Sequence, residues 1–364
     1  MSILLITIIA FCGVIGIIIF VSGLKLQEET KGGSPEKVIA FLKGNINSEN
    51  VSFSLNANNV NVVRVNENKK LPLASTVKII IAIEYARQAA EGIIDSTELI
   101  SLDTLDTFYI PKTDGGAHPA WLSKLENTVE IPLEEVVKGM ILYSSNANTE
   151  FLMHKLGLEN INKMIERLEI KNHDVLFPIA SALFIPVHLK REGLTKQQVY
   201  DQLLNMSLEQ YREKANLIHE CWLKQPLTAA QKREYYQYVA MRFQKIWSDR
   251  LPGSTTADYI NLMQKLNSRQ FLSESIHHYL DPILEQSPPQ EGIQYIGKKG
   301  GSTSFVLTMA MYAKDNEGNT TELALFANEL TFIQQQKLAN NIGEFQLKLL
   351  QDKAFKQHVM NEIS

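Results

Sequence analysis

Cysteine is nearly absent from this chain, which has two cysteines in 364 residues. Cys12 lies inside a long apolar segment at the N-terminus, and Cys221 lies in a polar region far along the chain. An intramolecular disulfide is therefore implausible, and the folded state has to rely on a hydrophobic core. With 45% hydrophobic residues, the chain is long enough for one large core or for two fused subdomains.

The chain also lacks any concentration of positive charge. Its formal net charge is −4, and its lysines are scattered. Nucleic-acid binding needs a basic patch that faces the phosphate backbone, so nucleic acid is not an expected partner. Among eight histidines only His277 and His278 are neighbours, and adjacent residues on a helix do not face one site. We therefore expect no metal and no other cofactor.

The first 24 residues lack charged side chains, and residues 3–21 are almost wholly apolar. The hydrophobic region of a signal peptide has ~7–15 residues, whereas a membrane span needs about 20. We therefore expect residues 1–24 to be a transmembrane anchor, with a polar linker at 25–33. A cleaved signal peptide is the alternative, although the basic N-terminal region of such peptides is missing.

Hydrophobic periodicity in residues 34–364 predicts an α+β fold. The predicted order is a helix, two strands, a block of helices, two strands and a final helix over residues 331–360. The four predicted strands are Val51–Leu55, Val60–Val65, Thr303–Ala313 and Thr320–Leu330. Strands from both ends of the chain must meet in one antiparallel sheet, flanked by the terminal helices. The central helices then form an all-helical lobe, and the cleft between lobe and sheet is the expected site.

Ser75 and Lys78 form the first candidate catalytic pair. They are three residues apart at the start of a predicted helix, Thr76–Ala90, so their side chains share one face. The N-terminus of a buried helix favours negative charge developing at Ser75. Lys78 becomes a base if burial or a second cation lowers its pKa. The alternative is a helix cap followed by a lysine that reaches solvent.

Ser144 and Asn146 form the second candidate pair, in the sequence Tyr143-Ser144-Ser145-Asn146 between two predicted helices. A hydroxyl and an amide two residues apart in such a loop can both point into a cleft. The alternative is an ordinary polar turn between helices.

Lys299 belongs to the third candidate motif, Lys298-Lys299-Gly300-Gly301-Ser302-Thr303, which directly precedes a predicted strand. Two glycines let a ligand lie close against the backbone of a strand edge. Lys299 offers a cation for a substrate carboxylate, and its charge lowers the pKa of a neighbouring lysine. The alternative is a glycine-rich turn that enters a hairpin.

The order of the three motifs resembles the set found in active-site serine β-lactamases and penicillin-binding proteins. The stretch from Leu133 to Asn146 is similar to the helix and loop that lead into the second motif of class A β-lactamases. Thr255-Thr256-Ala257 resembles the element that precedes their last strands. The resemblance covers roughly residues 34–185 and 252–360. It implies a β-lactamase/transpeptidase-like fold with a helical insertion near residues 187–250.

The resemblance also implies catalytic roles. Ser75 attacks the substrate carbonyl, and Lys78 takes its proton. Ser144 relays a proton toward the leaving nitrogen. Lys299 supports Ser144 and the substrate carboxylate.

The implied substrate-binding residues surround the same carbonyl group. Asn146 binds the substrate's side-chain amide and helps to orient the base. Gly301, Ser302 and Thr303 line the site, and the N–H groups of Ser75 and Ser302 form an oxyanion hole.

Three departures from the family pattern stand out. Ser145 replaces the Asp of the second motif, which leaves the two chemical groups intact. Gly300 replaces a hydroxyl residue, so a carboxylate contact is lost unless Ser302 or Thr303 supplies it. The loop after the predicted helix at 159–169 lacks Glu-x-x-Leu-Asn, and Asp174 is the only acid within residues 172–181. We therefore expect acylation of Ser75 to be feasible and deacylation to be slow.

The expected function is that of a serine hydrolase, similar to a β-lactamase or to a D-alanyl-D-alanine carboxypeptidase. Its substrate would be a β-lactam or a peptidoglycan-stem-peptide-like amide. The catalytic domain would lie outside the cytoplasm and be anchored in the cell membrane by the N-terminal helix. The alternative is a non-catalytic sensor that keeps the pocket and binds peptidoglycan or a partner. The aromatic residues of the insertion favour packing against the lobe over partner binding.

Overall fold

The computed structural model describes residues 30–126 and 128–363. The predicted membrane anchor at 1–24 and most of the predicted linker lie outside these residues. Within the described ranges no helix has both the length and the apolar character needed to cross a membrane.

A five-stranded antiparallel sheet of order β2-β1-β9-β8-β7 forms the centre of the fold. Its central pair joins strands from the two ends of the described chain, with Val51 opposite Ala327. Two short ribbons, β3-β6 and β4-β5, lie outside it. The strands are β1 (Val51–Ala57), β2 (Val60–Val65), β3 (Leu71–Pro72), β4 (Leu99–Ser101), β5 (Glu130–Pro132), β6 (Gly253–Ser254), β7 (Ile293–Ser302), β8 (Leu307–Asp315) and β9 (Thr320–Ala327).

The two strands predicted at Val51–Leu55 and Val60–Val65 are present and form a hairpin, in which the first strand extends to Ala57 and the turn is short. Asn58 and Asn59 connect β1 to β2 and have φ values of 51° and 62°. Positive φ at both central residues is the conformation that twists a two-residue hairpin correctly, and asparagine tolerates it well.

One strand of the sheet was missed from the sequence. The sequence placed Lys299 directly before a strand, but Lys299 lies near the end of the ten-residue strand β7. Thr303 is not the start of the next strand, which begins at Leu307. Lysine and glycine have low strand propensity, so the sequence Lys298–Gly301 favours the prediction of a turn. In the fold this stretch is held as an edge strand by its ladder with β8.

The helices follow the predicted distribution, with a lobe between the two halves of the sheet. The region 101–130 contains two of the short helices, Leu102–Asp106 and Ala117–Leu122. The helices are α1 (Glu36–Gly44), α2 (Lys78–Ala90), α3 (Leu102–Asp106), α4 (Ala117–Leu122), α5 (Leu133–Leu142), α6 (Asn146–Leu156), α7 (Leu158–Arg167), α8 (Ile179–Ala182), α9 (Ile185–Arg191), α10 (Lys196–Asn205), α11 (Leu208–Lys224), α12 (Ala229–Arg233), α13 (Met241–Asp249), α14 (Thr256–Ser268), α15 (Glu274–Leu284), α16 (Phe332–Gln351) and α17 (Lys353–Ile363).

The two faces of the sheet belong to two hydrophobic cores. Leu323 and Leu325 of β9 pack with α1, α16 and α17 on one face. Ala324 and Phe326 point the opposite way and pack with α14 and the lobe, as the alternation of a strand requires. The α+β prediction, with a helical lobe beside an antiparallel sheet, is confirmed.

The helices α10 to α13 lie within the region predicted as an insertion. Their large aromatic residues join the core of the lobe, where Trp222 is 2% exposed and Tyr235 and Tyr238 are each 3% exposed. Trp222 and Tyr235 both contact the ring of Phe184 on the lobe. These aromatic side chains therefore stabilise the attachment of α10–α13 to the lobe.

Candidate active site

A cavity of about 910 Å³ lies where the end of β7 meets the helical lobe. Its volume is in the range of small-molecule sites. Residues from all three sequence motifs line it: Ser75, Ser144, Asn146, Gly300, Gly301, Ser302 and Thr303. Lys78 and Lys299 are buried, with exposures of 0% and 6%. The fold therefore brings together every site residue that the sequence singled out.

Ser75 lies in a single 3-10 turn, Ala74–Val77, that leads directly into α2. Ala74 before it has a φ of 45°, a left-handed conformation that costs free energy for a residue with a Cβ. The turn is held by Thr308 of β8, whose hydroxyl donates to Leu73 O at 2.7 Å. The backbone of Ser75, the predicted nucleophile, is thus fixed against the sheet as well as by its own helix.

The Lys78 amine is held by the loop that carries the second motif. Its Nζ lies 2.7 Å from Ser144 O, 3.0 Å from Asn146 Oδ1 and 3.3 Å from Ser144 Oγ. A neutral amine has two hydrogens and one lone pair. The two carbonyl-type oxygens can take both hydrogens, so the lone pair remains available to accept a proton from a hydroxyl group.

Burial holds the pKa of Lys78 well below its ordinary value, and the neighbouring charge of Lys299 lowers it further. The carboxylates of Asp114 and Glu150 oppose this shift without reversing it. Desolvation and a like charge both disfavour the ammonium form. The lowered pKa favours the neutral amine, which is the form in which a lysine can act as a general base.

Ser144 lies between the two lysines. Lys299 Nζ donates to Ser144 Oγ at 3.0 Å, and Lys78 Nζ lies 3.3 Å from the same oxygen. Burial lowers the pKa of Lys299 to about 7. Ser144 has a φ of 69°, an unusual conformation that aims both its carbonyl and its hydroxyl at the lysines.

A buried network that sequence reasoning missed supports this strained loop. Ser145 Oγ donates to Asn148 Oδ1 at 2.9 Å and lies 2.8 Å from His118 Nδ1. Since the hydroxyl has one hydrogen, the imidazole N–H donates to it. Burial lowers the pKa of His118, which favours the neutral ring. His118 lies 27 residues from Ser145, and no local pattern links them.

Gly301 allows β7 to approach the nucleophile. A Cβ at this position would overlap Ser75 N and lie 2.7 Å from Leu73 O. At Gly300 a Cβ would point to the opposite face and lie 2.9 Å from the flexible end of Met309. The second glycine of the motif is therefore the one that the nucleophile's backbone requires.

The predicted binding residues Ser302 and Thr303 differ in what they can offer. Ser302 is exposed to the cavity. Thr303 Oγ1 accepts the N–H groups of Phe305 and Val306, each at 3.1 Å, and lies 2.7 Å from Ser248 Oγ. Because these contacts use its hydrogen-bonding capacity, Ser302 is the better candidate to replace the hydroxyl missing at Gly300.

Asp174 has a structural environment away from the cavity lining. Its carboxylate accepts Gly253 N–H at 2.9 Å and pairs with Lys70 at 3.1 Å. Among the described residues that line the cavity, Asp114 is the only one with a carboxylate, and it accepts the N–H groups of Gly116 and His118.

The segment α8, which borders the cavity through Ile179, carries no acidic side chain. The nearby carboxylate of Glu150 already has hydrogen-bond partners. Glu150 accepts Ala180 N–H and Ser181 Oγ–H at 2.7 Å each, and His219 Nδ1 lies 3.0 Å away. Glu150 therefore positions α8, and both of its oxygens have partners.

Within residues 30–126 and 128–363, no three His, Cys, Asp or Glu side chains are grouped so that they could hold a metal ion. The lysines, hydroxyl groups and amide of the cavity suit covalent acyl transfer with proton transfer.

Comparison with known sequences gives one family. A sequence model named Beta-lactamase2, described as the beta-lactamase enzyme family, matches residues 36–302. No curated protein sequence matches the chain.

Solved structures with the same fold cover most of the chain. A beta-lactamase from Sphaerobacter thermophilus is 18% identical with a TM-score of 0.51, covering 86% of this chain and 96% of its own. A beta-lactamase from Chitinophaga pinensis is 11% identical with a TM-score of 0.54, covering 87% and 99%. PBP-A is 14% identical with a TM-score of 0.53, covering 87% and 96%. At such identities the likeness concerns the fold.

Proposed function

Because this chain belongs to the beta-lactamase enzyme family, we propose that it is a serine acyl-transfer hydrolase that forms an acyl-enzyme at Ser75. Its substrates would be β-lactams or D-Ala-D-Ala-like amides. The observation that carries the proposal is the buried, low-pKa Lys78, which lies one helical turn after Ser75 and contacts Ser144. A structure of a PBP-A mutant is described as an acyl-enzyme complex with penicillin G, which supports β-lactams as ligands of this fold.

Acylation follows from the hydrogen bonds of the site. Lys78 takes the proton of Ser75 as Oγ attacks the carbonyl carbon, and the N–H groups of Ser75 and Ser302 donate hydrogen bonds to the developing oxyanion. Lys78 then passes a proton to Ser144 Oγ at 3.3 Å, and Ser144 protonates the leaving nitrogen. The Lys299 cation, 3.0 Å from Ser144 Oγ, supports this transfer and the substrate carboxylate.

Deacylation needs a base that activates water at the ester. Asp174 is engaged with Gly253 and Lys70, and α8 carries no acid. Both features support a long-lived acyl-enzyme and a slow hydrolase. A purely non-catalytic binding protein would have no use for a buried lysine of lowered pKa, so the reactive alternative is favoured.

Mass spectrometry after incubation with benzylpenicillin tests the proposal. We expect one penicilloyl group per chain, on the peptide that contains Ser75, and no adduct with Ser75→Ala. Lys78→Ala should slow acylation by about 10²-fold or more, the usual effect of losing a general base.

Ser304→Ala is the matched control, because Ser304 is an exposed hydroxyl that lines the same cavity. It should be labelled as the unchanged protein is. An adduct on a different serine, or no adduct in the unchanged protein, would contradict the proposal.

We also propose that the catalytic domain acts outside the cytoplasm, with residues 1–24 as a membrane anchor. The uncharged apolar sequence of that segment and the β-lactam-like chemistry support this placement. Full-length protein should remain with membranes after washing with high salt and carbonate. A soluble secreted form whose sequence begins near Leu24 would instead identify a signal peptide.

A further inference from the structure

The helix α13 forms one wall of the active-site cavity. Gln244 and Trp247 both line it, and both are partly exposed. The family resemblance assigns no role to this helix, which lies between the segments that carry the motifs. Because its side chains line the same cavity as Ser75, they can meet a substrate that is bound there.

Two hydrogen bonds lock α13 onto elements of the site. Trp247 Nε1 donates to Ile179 O at 3.0 Å, and Ser248 Oγ lies 2.7 Å from Thr303 Oγ1. A third contact fixes the same region, because His219 of α11 pairs with Glu150, which in turn holds α8. These contacts hold the wall in a defined position, as a specificity pocket requires.

Hydrogen bonds within the protein already use the donor groups of Trp247 and Gln244, and this decides what the wall offers to a ligand. The indole N–H of Trp247 is used by Ile179 O, so the cavity meets the apolar ring. Gln244 Nε2 donates to Tyr235 Oη at 2.5 Å, which leaves the amide oxygen Oε1 to accept a hydrogen bond. An apolar ring beside an amide acceptor suits a substituent that carries an N–H group and an apolar end.

The direction of β7 shows which part of the substrate meets this wall. Lys299, at the leaving-nitrogen end, contacts Ser144. Gly301, two residues on, faces Ser75. Thr303, a further two residues on, contacts α13. At ~3.3 Å per residue, Lys299 and Thr303 are about 13 Å apart, on opposite sides of the nucleophile. The wall therefore lies on the acyl side of the scissile bond.

We propose that Gln244 and Trp247 are specificity-determining residues that bind an amide-linked, apolar substituent on the acyl side of the substrate. The inference rests on the proposed acyl-transfer function and names the acyl donor that this site prefers: one with an N-acylated, apolar group next to the reacting carbonyl.

Two penicillins that differ only in this substituent test the proposal. Benzylpenicillin carries a phenylacetamido group, and 6-aminopenicillanic acid carries a free amine. We expect Trp247→Ala to lower the second-order acylation rate of benzylpenicillin by about tenfold or more, the scale at which an apolar pocket discriminates. The rate for 6-aminopenicillanic acid should change less than about threefold. Gln244→Ala should act in the same direction with less effect, since one hydrogen bond is lost.

Leu217→Ala is the control within the same insertion, because Leu217 is 48% exposed and does not line the cavity. It should leave both rates unchanged. If either cavity variant slows both penicillins alike, or if the unchanged protein does not distinguish them, the proposal is overturned. Gln244→Ala keeps the test decisive if Trp247→Ala fails to fold.

A second measurement separates this inference from the proposed function. In Ser75→Ala, which cannot be acylated, non-covalent binding of the two penicillins is measured by calorimetry. A preference for benzylpenicillin that disappears on adding Trp247→Ala supports the inference, even if the unchanged protein forms no adduct. Equal affinities in the presence of Trp247 contradict it, whatever the acylation experiment shows.

Discussion

Lys299 gives the site a dependence on pH that follows from one ammonium group. Its pKa of about 7 means that the charge beside Ser144 is lost as the pH rises through neutrality. Acylation needs this charge, together with a neutral Lys78, so the acylation rate should fall above pH about 7. Lys299→Arg should keep its acylation rate constant to about pH 9, because arginine stays protonated. Stopped-flow acylation profiles test this, and an identical alkaline decline in both proteins would contradict it.

The two glycines of the third motif allow a matched comparison. Gly301→Ala should slow acylation by about tenfold or more, because its Cβ would displace the backbone of the nucleophile. Gly300→Ala should have less than about threefold effect, since its Cβ meets the movable end of the Met309 side chain. Acylation rates and thermal midpoints of both variants provide the measurement. Equal loss of rate in the two would show that the close approach at Gly301 has no special role.

At the level of secondary-structure elements, the segment around Asp174 shows that an acidic residue considered as a base can have a structural role instead. Asp174 N donates to Gly253 O at 2.8 Å, while its carboxylate accepts Gly253 N–H, so the segment is tied to β6. Asp174→Asn should change the deacylation rate by less than about tenfold, against ~10²–10⁴ for a true general base. It should lower the free energy of unfolding by about 1 kcal/mol, because the pairing with Lys70 is lost and the hydrogen bond weakens. Acyl-enzyme decay followed by mass spectrometry decides between the two roles.

The elements that could be predicted from sequence are those whose local pattern agrees with their place in the fold. The hairpin of β1 and β2 has alternating apolar residues and two asparagines at its turn, so both strands and their connection were predictable. Strand β7 could not be predicted, because its lysines and glycines have low strand propensity. These residues are suited to the cavity and to the close approach to Ser75. The motif order predicted that Ser75, Lys78 and Ser144 would meet.

The remaining parts of the site depend on contacts between distant residues. The pair of Glu150 and His219 spans 69 positions, and the bond from Ser248 to Thr303 spans 55. A single sequence holds no periodic or local signal for such contacts. Only the structure could therefore show that α13 lies at the cavity.

At the scale of the whole molecule, acylation and deacylation are expected to differ greatly in rate. The site contains the groups that the proposed acylation uses, whereas Asp114, the carboxylate among the described residues that line the cavity, is held by two backbone N–H groups. With a chromogenic cephalosporin, we expect a burst of one product equivalent per chain, followed by a slow steady state. Rapid-mixing absorbance measures both phases. Fast multiple turnover without a burst would contradict the prediction and indicate a base elsewhere.

The pairing of β1 with β9 has a consequence for how the protein is made. Val51 and Ala327 are partners in the ladder between β1 and β9, so the sheet cannot close until the chain from β1 through β9 has left the ribosome. Ser75 and Lys78 are synthesised early, but Lys299, Gly301 and Thr308, which complete their surroundings, come more than 200 residues later. A nascent or C-terminally shortened chain therefore carries the nucleophile without its site. Under the proposed function, synthesis therefore has to pass Thr308 before Ser75 can react with an acyl donor, and shorter nascent chains should be unreactive.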